Sequence, residues 1–195
     1  MFLSSPMRRT PHLDELVLLP GHYFIAGSRC RMRTVLGSGV VIALWHRAQR
    51  TGAMAHFVPS LRNGELALDL GGHSGREALQ LVLHELQCSH LDPAHCVARI
   101  CGGGTVVACT DHVPSLNTGQ ANGEFARRLL RAYGLPIVSE SFYPIGRRQV
   151  IFDVNTGRVQ ARRVKPVIVA IDVKSKPVAQ PPLPERRQRV SALAR

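Results

Sequence analysis

The hydrophobic and polar positions of this 195-residue chain change period several times along its length. Short runs rich in β-branched and aliphatic residues, separated by Gly-Ser and Gly-Ser-Gly breaks, predict strands over 22–26, 31–36, 40–45 and 53–58. The stretch 61–75 contains Asn and several Gly and reads as a loop. Leu79, Val82, Leu83 and Leu86 then recur at helical spacing and predict a helix over 76–89. Strand character returns over 96–101 and stops at Gly102-Gly103-Gly104. A second helix is predicted over 117–133, with Phe125, Leu129, Leu130 and Tyr133 as the apolar stripe. Phe125 is expected beneath the sheet, and Gly134 ahead of Pro136 is a stop signal. Strands are expected over 137–142, 149–154, 158–164 and 167–173, with Asn155-Thr156-Gly157 as a hairpin turn. The first 15 residues are polar and broken by proline, and read as a lead-in. The whole predicts one α+β domain over 16–173, a strand-rich sheet with two amphipathic helices.

Composition narrows the functional classes. At 45% hydrophobic residues the chain has material for a core, which excludes wholesale disorder. The 25 Lys and Arg against 13 Asp and Glu give a net charge of +12, placed unevenly. Nine basic residues fall between Arg162 and Arg195, opposed by Asp172 and Glu185 alone. With Pro177, Pro181, Pro182 and Pro184, residues 174–195 read as a basic Pro/Arg-rich tail, expected to be disordered and solvated. Such charge also suits nucleic acid, an anionic membrane or an acidic partner. Nucleic-acid binding has no motif to support it, and aromatics that stack on bases make up only 5%. No apolar run approaches the roughly 18–20 residues of a membrane span. The five cysteines are odd in number and form no C-x-x-C pair, so the expected compartment is a reducing cytoplasm.

Chemistry concentrates between Thr34 and Phe57. A strand, a Gly37-Ser38-Gly39 turn, a second strand, a loop and a third strand bring His56 back towards the turn if the last two strands are antiparallel neighbours. Such a turn at a sheet edge presents a nucleophile well. His56 by itself reads more often as a satisfied core or edge histidine than as a catalytic one. Cys88, His90, His95, Cys96, Cys109 and His112 lack the paired spacing of a zinc site, and the Gly102–Gly104 run lacks the spacing of a dinucleotide loop.

Five segments occur in the order found in one family. They are Thr34-Val-Leu-Gly-Ser-Gly39, Gly52-Ala-Met-Ala-His56, Cys101-Gly-Gly103, Asn117-Thr-Gly-Gln-Ala-Asn122-Gly-Glu-Phe125 and Gly146-Arg-Arg-Gln-Val-Ile-Phe-Asp153 through Gly157. On them the chain resembles the chemoreceptor glutamine deamidase family, CheD. The resemblance implies a layered α/β sandwich, mostly antiparallel strands with two helices. It implies hydrolysis of receptor Gln side chains to Glu with release of ammonia, by a Cys nucleophile, a His base and a Thr that orients the His. His56 matches the base and Thr34 the orienting residue, with Gly37 and Ser38 as candidate oxyanion donors. Gly39 stands where the family has its cysteine, so the deamidase chemistry lacks its nucleophile. The alternative is a catalytically silent protein that binds receptors or a CheC-type phosphatase. Ser38 is a poor replacement, and Cys101, beside the glycine run, is the remaining thiol to weigh. The resemblance implies chemoreceptor cytoplasmic helices as partners, and neither cofactor nor metal.

Overall fold

A computed structural model describes residues 13–62, 65–102, 104, 118–142 and 146–164. The strands are β1 (Asp14–Val17), β2 (Tyr23–Ala26), β3 (Cys30–Leu36), β4 (Val40–His46), β5 (Thr51–Arg62), β6 (Glu65–Leu70), β7 (His73–Ser74), β8 (Cys96–Gly102), β9 (Ile137–Phe142), β10 (Arg148–Asp153) and β11 (Arg158–Arg163). The helices are α1 (Gly75–Cys88) and α2 (Thr118–Ala132). The expected strand at 167–173 and the tail from 174 lie outside the described residues.

Two sheets and a helical layer make an α+β sandwich. A four-stranded sheet has the order β1-β3-β10-β11. The larger sheet follows β7-β6-β5-β4-β8-β9, with β2 also paired to β5. Most pairings are antiparallel; β1–β3 and β8–β9 are parallel. The larger sheet is covered on both faces, which is why β4 is apolar at successive positions rather than alternating. Val40, Ile42 and Leu44 face the helices with Ala53, Ala55 and Phe57. Val41 and Ala43 face the smaller sheet with Met54, Met32, Val150 and Phe152. On the helix side Leu79, Val82 and Leu86 of α1 and Ala126, Leu129 and Leu130 of α2 close the core.

Three expectations need correction. Residues 61–75 do not form a loop: β5 continues to Arg62, and β6 and β7 follow. Leu68 and Leu70 are buried while Ala67 and Asp69 are only half-buried, a two-residue period that overrides the nearby glycines. Gly71 and Gly72, at φ +59° and +85°, belong to the β6–β7 turn alone. Second, Asp14 and Glu15 are not lead-in but open β1, an edge strand beside β3 whose residues are mostly exposed and so carry no apolar alternation. Third, Phe125 is half-buried at the rim of the helical layer against Gly75, while Ala126, Leu129 and Leu130 carry the contact with the sheet. Phe125→Ala is therefore expected to cost about 1–2 kcal/mol, below the 3–5 of a fully buried Phe, measurable by urea unfolding.

The stop at Gly134 behaves as expected. Gly134 takes φ +67°, and the Leu135 N–H returns to the Leu130 carbonyl at 3.1 Å, closing the end of α2.

Candidate functional site

Thr34 and His56 come from opposite layers and meet between them. On β3 the side chains of Cys30, Met32, Thr34 and Leu36 point inward, while Arg33 and Val35 face solvent. On β5, Met54 and His56 share the face that looks at the smaller sheet, opposite to Ala55 and Phe57. His56 lies beside Val41 across the β4–β5 ladder, and Phe57 beside Val40, so the antiparallel return expected from the sequence brings His56 to the turn before β4. The His56 backbone is clamped from the other side: its N–H donates to the His22 carbonyl and its carbonyl accepts from the Gly21 N–H, both at 2.9 Å.

The hydrogen bonds around the ring fix its tautomer. The Thr34 hydroxyl donates its one proton to the Leu18 carbonyl at 2.6 Å. The same oxygen lies 3.0 Å from His56 Nδ1 and can only accept there, so the proton sits on Nδ1. His56 Nε2 is left with its lone pair free to accept. The ring is 3% exposed, and burial lowers its pKa from 6.5 to about 4, so it is neutral at neutral pH. The arrangement is that of a general base held by a hydroxyl.

Position 39 lies against that nitrogen. A Cβ built on Gly39 lies 3.0 Å from His56 Nε2 and 2.7 Å from the Phe57 carbonyl oxygen. Gly39 is not among the glycines with positive φ, so the backbone there suits an L-residue and the space, not the conformation, is tight. The turn itself is pinned from α2: Asn122, fully buried, donates its Nδ2–H to the Ser38 carbonyl at 2.8 Å. In the trans Ser38–Gly39 peptide this turns the Gly39 N–H away from α2, and that N–H has no acceptor among the described residues. Asn122 Oδ1 is buried with no partner among the described residues, which costs roughly 1–3 kcal/mol. Asn122 belonged to a recognised sequence segment, but only the tertiary contact of α2 with the turn gives it a task.

Cys101 and Cys30 stay away from this centre. Cys101 is on the same face of the larger sheet as His56, yet Val41 stands between them, about 10 Å across two strand spacings. Burial pushes the Cys101 thiol up to about 11, so it carries no thiolate at neutral pH. Cys30 lies four residues before Thr34 along β3, and burial together with Asp14 raises its thiol as well. A cavity of about 450 Å³ reaches Thr34, Gly37 and Ser38 from the surface, walled by Val17, Leu19 and Val35. Those three are among the exposed large apolar side chains.

The buried neutral His56 predicts an acid-labile fold. Below pH 6.5 the unfolded chain protonates this histidine and the folded chain does not, so stability is present above that pH and lost as pH falls towards 4. The His56 contribution to the loss is about 3 kcal/mol at 1.36 kcal/mol per pKa unit. Urea midpoints at pH 7 and pH 4.5 are expected to fall further for the unmodified protein than for His56→Gln; equal falls would place the titration elsewhere.

Comparison with known proteins gives one consistent set. A family model described as CheD chemotactic sensory transduction matches residues 62–163. This match begins after Thr34, Gly39 and His56, but pairwise similarity extends over most of the chain. A protein of Albidiferax ferrireducens named probable chemoreceptor glutamine deamidase CheD 2 is 44% identical over 162 residues, 83% of this chain and 94% of the relative. A probable chemoreceptor glutamine deamidase CheD 1 of Chromobacterium violaceum is 32% identical over 80% of each chain. A probable chemoreceptor glutamine deamidase CheD of Pseudomonas syringae pv. tomato is 31% identical over 78% of this chain and 91% of the relative.

Proposed function

The chain belongs to the CheD family, and from that premise we propose that it engages glutamine-bearing helices of chemoreceptors at a deamidase-type site without converting them. The observation that carries this is the Cβ direction at Gly39, which meets His56 Nε2 at 3.0 Å. A cysteine in that place would stand on the base; a glycine offers nothing to attack the amide carbonyl. His56 serves as the base position, Thr34 as its orienting residue, and the Gly37-Ser38-Gly39 backbone as the candidate oxyanion donors. Metal and cofactor play no part in this chemistry, which needs only a thiol, an imidazole and backbone amides. A CheC-type phosphatase is the second partner in this proposal. No described helix is long and apolar enough to cross a membrane, and the proposed meeting place is the cytoplasmic part of the receptor.

The test is incubation with a receptor cytoplasmic fragment carrying its target glutamines. Co-sedimentation or interferometry is expected to show the fragment bound. Its mass is expected to stay unchanged, where deamidation would add about one dalton per Gln as the thioester is hydrolysed. A mass gain with the unmodified protein would overturn the silent reading and make Cys101→Ser the next variant. Absence of binding would overturn the receptor as partner.

A further inference from the structure

The far end of β4 carries a second concentration of polar groups. Val41 pairs with His56 near the start of the strand and His46 closes it, about 17 Å further on at a rise of about 3.4 Å per residue. At this end each sheet finishes in a hairpin turn. Residues 47–50 join β4 to β5, and residues 154–157 join β10 to β11. Between the two turns lies a cavity of about 790 Å³, bordered by Trp45, His46, Arg47, Arg50, Asn155 and Thr156. That is the size of a small-molecule site, about 300–1,000 Å³.

The polar side chains around this cavity present donors. Arg47 and Arg50 are exposed, and neither has a carboxylate partner among the described residues. Arg50 Nη1 donates to Asn155 Oδ1 at 3.4 Å, which leaves the Asn155 NH₂ free to donate. Thr156 Oγ1 accepts from the Arg158 N–H at 3.3 Å, so its own proton is free as well. Among the described residues no Asp or Glu borders the cavity. Asp92, reached through His95, is held by that ring at 3.1 Å and by the Ala94 N–H at 2.9 Å. Asp153 accepts from the Thr156 N–H and faces Arg31.

His46 is the buried member, 8% exposed. The Gln49 N–H donates to its Nδ1 at 3.3 Å, so Nδ1 offers a lone pair and Nε2 carries the ring proton. That Nε2–H has no acceptor among the described residues, yet it is not sealed from solvent, because the ring borders the cavity. Arg50 adds a second sign. Its backbone sits at φ +46°, a conformation that suits glycine better, so its side chain rather than its backbone preference accounts for the position.

The geometry points to an anion site: the cavity between the two hairpin turns binds the phosphoryl group of a small phosphorylated ligand. A phosphate monoester brings a near-double negative charge and three oxygens that only accept. Two guanidinium forks match those oxygens, with the His46 Nε2–H and the Thr156 hydroxyl as further donors. A carboxylate has one oxygen and about one charge fewer to offer the same set. Trp45 is the wall for the organic part of the ligand. Its Nε1–H is tied to the Val154 carbonyl at 2.9 Å, and the Gly157 backbone lies against its ring where no Cβ would fit. The site uses neither Gly39 nor His56 and involves no covalent step.

The experiment uses the full chain and the fluorescence of Trp45. It is the chain's one tryptophan, so the signal reports this end and not the basic residues after Arg162. Phenyl phosphate, inorganic phosphate and benzoate are titrated at about 0.15 M salt, where charges are screened beyond roughly 8 Å. A saturable change is expected with phenyl phosphate and, more weakly, with inorganic phosphate. Benzoate is expected to bind at least about tenfold more weakly than phenyl phosphate, the loss of one charge-assisted hydrogen bond. Arg50→Gly suits the backbone at that position, so its urea midpoint is expected to equal or exceed the parent's while phenyl phosphate binding falls at least about tenfold. His46→Asn keeps an acceptor for the Gln49 N–H and removes the Nε2 donor, and is expected to weaken binding about tenfold. No saturable change with either phosphate probe overturns the site. So does equal affinity for benzoate and phenyl phosphate, or parental affinity in both variants. If His46→Asn does not fold, Arg50→Gly decides: lost affinity supports the site and unchanged affinity overturns it.

Discussion

Gly39→Cys is expected to turn the protein into a glutamine deamidase. The new thiol would sit on His56 Nε2, since the Cβ alone reaches within 3.0 Å of it. On attack the thiol proton passes to Nε2, sulfur bonds the amide carbon, and the oxygen draws on the Gly39 N–H and its neighbours in the turn. The protonated ring then gives its proton to the departing ammonia, and water, deprotonated by the same base, opens the thioester to the acid. The expected readout is ammonia release and a mass gain of about one dalton per receptor Gln, absent in the parent. Adding His56→Ala is expected to lower the rate by about 10²–10⁴, the usual worth of a positioned base. The substitution has a structural cost, because the same Cβ lies 2.7 Å from the Phe57 carbonyl oxygen and the turn must shift. That overpacking is expected to cost about 1–3 kcal/mol by urea unfolding. A folded, receptor-binding Gly39→Cys protein with no activity would show that Nε2 and the bound amide do not face one another, and would count against the deamidase-type site.

How far this centre can be read from the chain differs from residue to residue. Thr34, Gly39 and His56 are legible because they sit in short ordered segments, and because adjacent antiparallel strands return His56 to the turn in a predictable register. The tautomer of His56 is not legible, since it depends on Leu18, whose carbonyl is placed by the parallel pairing of β1 with β3. That pairing is hidden too: an exposed edge strand needs no apolar alternation. Asn122 is visible as a letter in a segment, but its task depends on the approach of α2 to the Ser38 carbonyl. The β6–β7 region misleads because its glycines and asparagine are turn signals that mask the alternation of Leu68 and Leu70. Local turn chemistry and sheet periodicity compete there, and burial of two leucines decides.

Away from the Thr34–His56 contact, a second glycine is required by packing. Gly52 and Phe152 come from two different recognised segments, 100 residues apart, and the fold presses them together: a Cβ on Gly52 would lie 2.7 Å from Phe152 Cζ and 2.9 Å from the Leu44 carbonyl oxygen. Phe152, fully buried on β10, spans the gap between the sheets, and the bare backbone of Gly52 on β5 is what receives its ring. Phe152→Ala is expected to cost about 3–5 kcal/mol through lost burial and the cavity left between the layers. Gly52→Ala is expected to cost about 1–3 kcal/mol for the opposite reason, an atom too many. The double variant separates these causes. If ring and Cβ compete for one space, Gly52→Ala in the Phe152→Ala background loses most of its penalty, and the two effects fall short of additivity by about 1 kcal/mol or more. What remains of the penalty then measures the contact with the Leu44 carbonyl, which no change at 152 can relieve. Additive effects in urea unfolding would mean that the ring does not rest on Gly52, and that the glycine serves the β4–β5 ladder alone.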